Sequence, residues 1–303
     1  KFAYNLKTVN SSGNILSDSK NSHNCFYAGD LENSSFMLGI DGAKDCYDCN
    51  NTGKPELCYE SVTPDNSRGN KFSVFCWKCT EAEYSNNCHS CVSVIGSSGL
   101  KHASYAILNK QYPKGEFLAL REKIIAGMKE RRQWGEFFPP SMSPFSYNKT
   151  AAREWIPMTR EEAIARGFRW EDEEERHYEV TMKPEQIPQT INETTDLILQ
   201  EVIGCTHGGT CEEKCTTAFR IPSQQLQLHR RLNLSLPTLC PNCRHYQRVE
   251  QRNPYRLWHR QCMCELGHEQ HSNMRCPNEF ETSYSPDRKE IIYCEACYQS
   301  EIM

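Results

Sequence analysis

Two Cys-Xaa-Xaa-Cys pairs near the C-terminus, Cys240-Pro-Asn-Cys243 and Cys294-Glu-Ala-Cys297, constrain this chain more than any other feature. A C-x-x-C turn aims two thiolates at one point in space and needs a second pair, returned by the chain, to complete a tetrahedral metal site. Upstream partners exist for both: Cys205, Cys211 and Cys215 before the first pair, and Cys262, Cys264 and Cys276 before the second. The two halves echo each other, because Cys215 and Cys276 are each followed four residues later by a Phe, Phe219 and Phe280. The spacing predicts two zinc ribbons in tandem.

Each ribbon is expected to fold around one structural zinc ion, with Zn–S distances of about 2.3 Å and metal binding replacing the core that so short a segment lacks. The expected ligands of the first site are Cys205, Cys215, Cys240 and Cys243. Cys211 is the alternative to Cys205, and His207 a further substitute. For the second site they are Cys262, Cys276, Cys294 and Cys297, with Cys264 in reserve. His268 and His271 fall in the insertion between the first two ligands, either supporting the ligands or exposed.

Eighteen cysteines in 303 residues, with a strongly negative mean hydropathy, point to several small cores held by staples. Those staples are disulfides in an oxidising compartment or metal thiolates in a reducing one. Ten of the cysteines fall in ribbon spacing, and the sequence carries neither a signal peptide nor a long apolar run. The expectation is therefore a cytoplasmic protein with metal-bound and free thiols and no membrane association.

From Asn14 to Cys91 a short phrase recurs: Cys25-Phe-Tyr-Ala, Cys46-Tyr-Asp-Cys49, Cys58-Tyr-Glu-Ser61, Cys76-Trp-Lys-Cys79 and Cys88-His-Ser-Cys91. With Ile15 and Phe36 counted as equivalents, the intervals are 10, 11, 10, 12, 18 and 12. Short strands between polar turns at such intervals predict a β-solenoid with two phrases per coil. The long interval is expected to hold a surface-loop insertion at residues 63–70, and fewer than about four coils are anticipated. Alternation would place Cys25, Cys46, Cys58, Cys76 and Cys88 on one face. These thiols either form a ladder filling a narrow core or make further metal sites from Cys46/Cys49, Cys76/Cys79 and Cys88/Cys91. An N-terminal continuation or a protomer stacked on the solenoid end is also expected, since the sequence starts at Lys1.

Phe117, Leu120, Ile124, Ile125 and Met128 then share one helical face, which predicts a helix closing the solenoid. Thr159-Arg-Glu-Glu162 is a capping box for a second, shorter helix. The acidic run at residues 171–175 reads as a solvated face, residues 184–188 as linker, and residues 196–203 as one more short helix. Ser223 is expected to cap a helix reaching Leu232. The predicted fold is mixed α+β: a cysteine-rich β-solenoid over residues 1–108, a helical connector over 109–200, and ribbons over 201–250 and 251–303.

Net charge is −4, which argues against a generic nucleic-acid binder. The distribution is uneven, however, with seven arginines and one acid, Glu250, between Arg230 and Arg260. Arg244, Arg248, Arg252, Arg256 and Arg260 recur every four residues, interleaved with Tyr246, Tyr255 and Trp258. Pro254 makes one unbroken helix unfavourable, so two short stretches or a turn with a shared basic face are expected. Arginines beside aromatics suit phosphate contacts and base stacking on RNA or single strands; the alternative is that they bond carbonyls and acids around the two metal sites. Phosphate-loop, zincin and nucleophile-elbow motifs are absent from the sequence, and four-thiolate sites are closed to water, so no catalysis is expected.

Leu108-Asn-Lys-Gln-Tyr112, Trp134-Gly-Glu-Phe-Phe-Pro-Pro140, Leu239-Cys-Pro-Asn-Cys-Arg-His245, Asn253-Pro-Tyr-Arg-Leu-Trp258 and Tyr284-Ser-Pro-Asp-Arg288 give the chain a resemblance to a family. It resembles an uncharacterised cysteine-rich family common in candidate-phyla bacteria, over nearly its whole length. The resemblance implies a cysteine-repeat array followed by zinc ribbons, and bears on architecture alone. The expected function is nucleic-acid binding, of RNA or a ribonucleoprotein, through the Arg-rich connector between two structural zinc ions; the alternative is a scaffold assembling through the solenoid.

Overall fold

The computed structural model describes residues 1–172, 178–211, 214–267, 271 and 275–302. It divides into two compact units, Lys1–Pro144 with Pro254–Met303, and Phe145–Asn253. Most of the acidic run and His268 lie outside the described residues.

The first unit is built on a parallel β-solenoid of about 8 turns. Its strands pair in register with an offset of 12 residues: Gly13 beside Cys25, Phe26 beside Leu38, Leu38 beside Asn50, Thr80 beside Val92 and Val92 beside Ser104. Backbone conformation repeats four times within that period. Nearly every third residue, including Asp18, Asn21, Asn24, Asn33, Asp45, Asp48 and Lys78, has a positive φ near 50°. The left-handed conformation turns the chain, and Asn and Asp tolerate it best among residues with a Cβ, which accounts for the Asn- and Asp-rich composition of this region. The residue following each such corner points inward. Leu16, Ser19, Ser22, Cys25, Ala28, Leu31, Ser34 and Met37 are successive inward side chains, and all are buried.

The inward positions stack into columns along the axis. Ser22, Ser34, Cys46, Cys58, Asn70, Ala82, Val94 and Ala106 form one of them. Small hydroxyl and thiol side chains suit these slots for two reasons. Each donates to a carbonyl two residues back, as Cys46 Sγ does to Lys44 O (3.2 Å) and Ser34 Oγ to Glu32 O (2.9 Å). Each also accepts from the backbone N–H one coil later, as Ser34 Oγ does from Cys46 N (3.2 Å) and Cys46 Sγ from Cys58 N (3.4 Å). Inward polar groups are thereby satisfied in a core too narrow for large side chains.

Several expectations are corrected by this geometry. One phrase makes a coil, not two, so the turns number about 8 rather than fewer than four. Residues 63–70 are not an insertion, because Glu56 bridges Arg68 and Val62 bridges Val74 in the same register; Pro64, Ser67 and Asn70 occupy inward slots there. Ile15 and Phe36 are corner residues with positive φ, 40% and 54% exposed, and do not replace cysteines. Cys25, Cys46/Cys58 and Cys76/Cys88 belong to three columns, since an interval divisible by three but not by twelve keeps a residue inside while moving it to another side.

The eight solenoid cysteines are buried free thiols. Among the described residues none of them joins a group with metal-binding geometry. Burial pushes the Cys25 and Cys79 thiols up to about 11 and Cys49 up to about 12. They are small hydrophobes of the core, the ladder arrangement of the two considered.

A hairpin at residues 104–111 ends the array, and the helix Lys114–Glu130 packs Phe117 against Ile95 and Ile107, with Leu120 and Ile124 alongside. Lys71, Glu83, Ile95 and Ile107 make one outward column along the axis, so the helix covers a flank of the array, whereas the apolar stripe suggests closure of its open end. Glu83, 2% exposed, is gripped by Arg121 of that helix (2.6 and 2.7 Å) and by Lys71 of the preceding coil (3.0 Å).

In the second unit the Thr159/Glu162 capping box opens the helix Arg160–Ala165. Ser223 is the first residue of the helix Ser223–Leu232, whose N-cap is Pro222, so its hydroxyl does not cap. Residues 196–203 form a 3-10 turn, Asp196–Gln200, followed by the strand Ile203–Gly204, in place of one helix. No helix among the described residues is long and apolar enough to cross a membrane.

Candidate metal centres

Each unit carries one cysteine cluster, assembled by the same local plan. In the second unit, Ile203–Gly204 pairs antiparallel with Ala218–Phe219, which draws Cys205 back beside Cys215. In the first, Trp258–Gln261 pairs antiparallel with Glu279–Thr282, which draws Cys262 beside Cys276. The Phe echo has a structural basis: Phe219 and Phe280 both lie on the second strand of these pairs. The C-x-x-C motifs open helices, Pro241–Glu250 after Cys240 and Glu295–Ile302 after Cys294. Helix N-termini present free N–H groups and a positive dipole end, which favours thiolates.

Cys205, Cys215, Cys240 and Cys243 bring their sulfurs within 4.8 Å of one another, and Cys262, Cys276, Cys294 and Cys297 do the same. Within the first cluster Cys240 Sγ lies 3.5 Å from Cys243 Sγ and 4.0 Å from Cys215 Sγ, and Cys205 Sγ lies 3.8 Å from Cys243 Sγ. Four sulfurs at about 2.3 Å from one ion in a tetrahedron stand about 3.8 Å apart. The donor set and its spacing therefore fit a metal ion.

Backbone amides complete the environment. Cys205 Sγ accepts from Cys240 N at 3.3 Å and Cys240 Sγ from Cys243 N at 3.5 Å. The second cluster repeats the first of these, with Cys262 Sγ accepting from Cys294 N at 3.2 Å, and adds Asn278 Nδ2 on Cys294 Sγ at 3.4 Å. Burial pushes the Cys240 thiol up, but the Cys243 N–H and Thr216 donors outweigh it and bring the pKa down to about 6. Cys294 behaves alike: burial is outweighed by Asn278 and Cys297, giving about 7.

The ambiguous residues also have places. Cys211 is outside the first tetrad but 3.6 Å from Cys243 Sγ, and it groups with His207 and Cys243. Cys264 groups with His271 and Cys297, His271 Nε2 lying 3.3 Å from Cys297 Sγ.

The arginine row is divided as Pro254 foretold, between the helix Pro241–Glu250 and the strand Trp258–Gln261. Arg244 is half-buried on the helix, with Tyr246 beside His245. Arg252 lies over the Trp155 ring at 5.1 Å and near Glu154 at 3.9 Å. Arg260 donates to the Ser285 carbonyl at 3.0 Å. Arg248 and Arg256 are exposed, and Arg256 stacks over Trp258 at 5.2 Å. Beside Arg256, a cavity of about 390 Å³ is lined by Tyr255, Phe26 and Phe36.

No family model matches this chain, and no curated protein matches it. A proposed acetyltransferase of Bacillus cereus of known structure aligns at 10% identity over 44% of this chain and 88% of its own, with a TM-score of 0.13. That score carries no argument about fold or activity.

Proposed function

We propose that this is a non-catalytic protein whose two cysteine tetrads hold zinc in closed, structural sites of zinc-ribbon type, and that it binds single-stranded nucleic acid, RNA in particular. Zinc is favoured by the four-sulfur donor set and tetrahedral spacing. Four protein ligands leave the tetrad ion no position for a reacting water.

The observation that carries the binding reading is the cavity beside Arg256. An exposed guanidinium next to Tyr255 and the 54% exposed Phe36 offers a phosphate contact and a stacking surface for a base. Arg248 is a second exposed cation in the row, whereas Arg252 and Arg260 are engaged within the protein.

Fluorescence anisotropy with single-stranded RNA and DNA, titrated over salt, tests the reading. Binding should weaken steeply with salt and fall at least tenfold in Arg248→Glu/Arg256→Glu. Affinity unchanged by the double reversal would sink it. A rival, a scaffold that docks protein on the solenoid, draws on the groove where Tyr4, Ile15 and Tyr27 are exposed together. Concentration-dependent assembly without nucleic acid would favour that rival.

A further inference from the structure

We propose that each cysteine cluster is built for two metal ions, with Cys243 and Cys297 as thiolates shared between the ions. The proposal rests on the reading of the tetrads as metal sites. After each tetrad has taken its ion, one Cys and one His remain at its edge: Cys211 with His207, and Cys264 with His271. Each leftover pair converges on one member of its tetrad, and the three donor atoms lie within 4.8 Å of one another.

The distances are those of ligands on a common ion. Cys211 Sγ to Cys243 Sγ is 3.6 Å, against about 3.8 Å for two sulfurs on one tetrahedral zinc. His271 Nε2 to Cys297 Sγ is 3.3 Å, against about 3.6 Å for a nitrogen and a sulfur on zinc. Cys243 has a tetrad sulfur, Cys240, at 3.5 Å and a sulfur from outside the tetrad, Cys211, at 3.6 Å, close enough to belong to both donor sets.

The second line of argument is the order of ligands along the chain, which is the same in both clusters although the residue types are exchanged. A tetrad cysteine comes first, Cys205 or Cys262. The residue two positions on, His207 or Cys264, belongs to the second ion. The intervening loop supplies its other ligand, Cys211 or His271. The approach to the second strand of the pair then brings a tetrad cysteine, Cys215 or Cys276, and the helix start gives the last tetrad cysteine and the shared one. Where one cluster uses His the other uses Cys at the same step, so the chemistry of the pair is kept while its order is reversed. Two clusters in separate units reach this arrangement through different loop lengths.

The second ion has three protein ligands, one nitrogen and two sulfurs, a set that suits zinc or another borderline-to-soft cation such as cadmium. Its fourth position is left for water, a small anion or an external thiolate.

Metal analysis of the full chain tests this directly. Purified from zinc-supplemented medium and freed of loosely held metal, it should carry four zinc ions, and His207→Ala and His271→Ala should each carry three. X-ray absorption on the zinc-loaded protein should show a zinc–zinc distance of about 3.8 Å, the separation of two ions each about 2.3 Å from one shared tetrahedral sulfur. A count of three or fewer in the unsubstituted chain overturns the proposal. Two ions, unchanged in both variants, would leave the tetrad reading intact, and none would overturn that reading as well.

Discussion

Substituting Arg121 by Ala should loosen the helix that covers the flank of the solenoid. Glu83 sits at 2% exposure with both carboxylate oxygens held by Arg121, at 2.6 and 2.7 Å, while Lys71 reaches one oxygen at 3.0 Å. Removing one partner of a fully buried pair costs about 3–5 kcal/mol, because the remaining charge is left without compensation. Here Lys71 stays and the Arg121 side chain is 29% exposed, which lowers the expected loss to about 2 kcal/mol. Hydrogen exchange read by mass spectrometry should then show protection of the helix Lys114–Glu130 falling roughly 30-fold at neutral pH. The effect has a definite pH dependence. Burial pushes the Glu83 carboxyl up, but the Arg121 and Lys71 charges outweigh it, so its pKa is lowered. The folded protein therefore binds fewer protons there than the unfolded chain, and the stabilisation is present above the ordinary carboxylate value and lost as pH falls through the lowered one. The original and substituted proteins should converge in acid. Protection within twofold of the original at neutral pH, or a difference that persists undiminished in acid, would refute the reasoning.

Ala82 is fully buried in a solenoid column between Asn70 and Val94; Ala82→Phe should overpack the coil and cost about 1–3 kcal/mol, seen as a lower urea midpoint. An unchanged midpoint would mean that the core is wider than its small side chains indicate. Thr63 has φ 54°, a strained conformation for a β-branched residue, so Thr63→Asn should stabilise by about 1 kcal/mol. A fall in midpoint on that substitution would show that Thr63 contributes a contact outweighing its backbone cost.

The solenoid and the two cysteine tetrads were legible in the sequence for different reasons. C-x-x-C spacing carries ligand geometry locally, and the partner cysteines are too few to leave many choices. The solenoid announced itself through cysteine–aromatic phrases, but cysteine alone misled on coil length. An inward slot accepts Ser, Ala, Asn, Leu, Met or Pro as readily, so the rule is a small or apolar residue at every third position, with Asn or Asp frequent just before it. Following Cys58 to Cys76 as one repeat therefore created an insertion where Pro64, Ser67, Asn70 and Ser73 continue the pattern. The Glu83–Arg121 pair joins residues 38 apart, and nothing local marks Glu83, which follows the inward Ala82 and faces outward, as buried beneath the helix. His207 and His271 were visible as neighbours of ligands; their exchange with Cys264 and Cys211 in the ligand order emerges only once the tetrads are assigned.

The 12-residue coil with its three-residue sides also acts as a frame in which length changes are read. Loss or gain of one or two residues turns every later inward side chain outward, as a frameshift garbles every later codon. Three residues preserve inside and outside but rotate the columns, so a Cys that stacked on Cys meets Ser or Leu instead. Twelve residues restore every neighbour and add or remove one complete coil. A gene encoding such an array can change the length of its product by whole coils while leaving the flanking helix the same surface to cover.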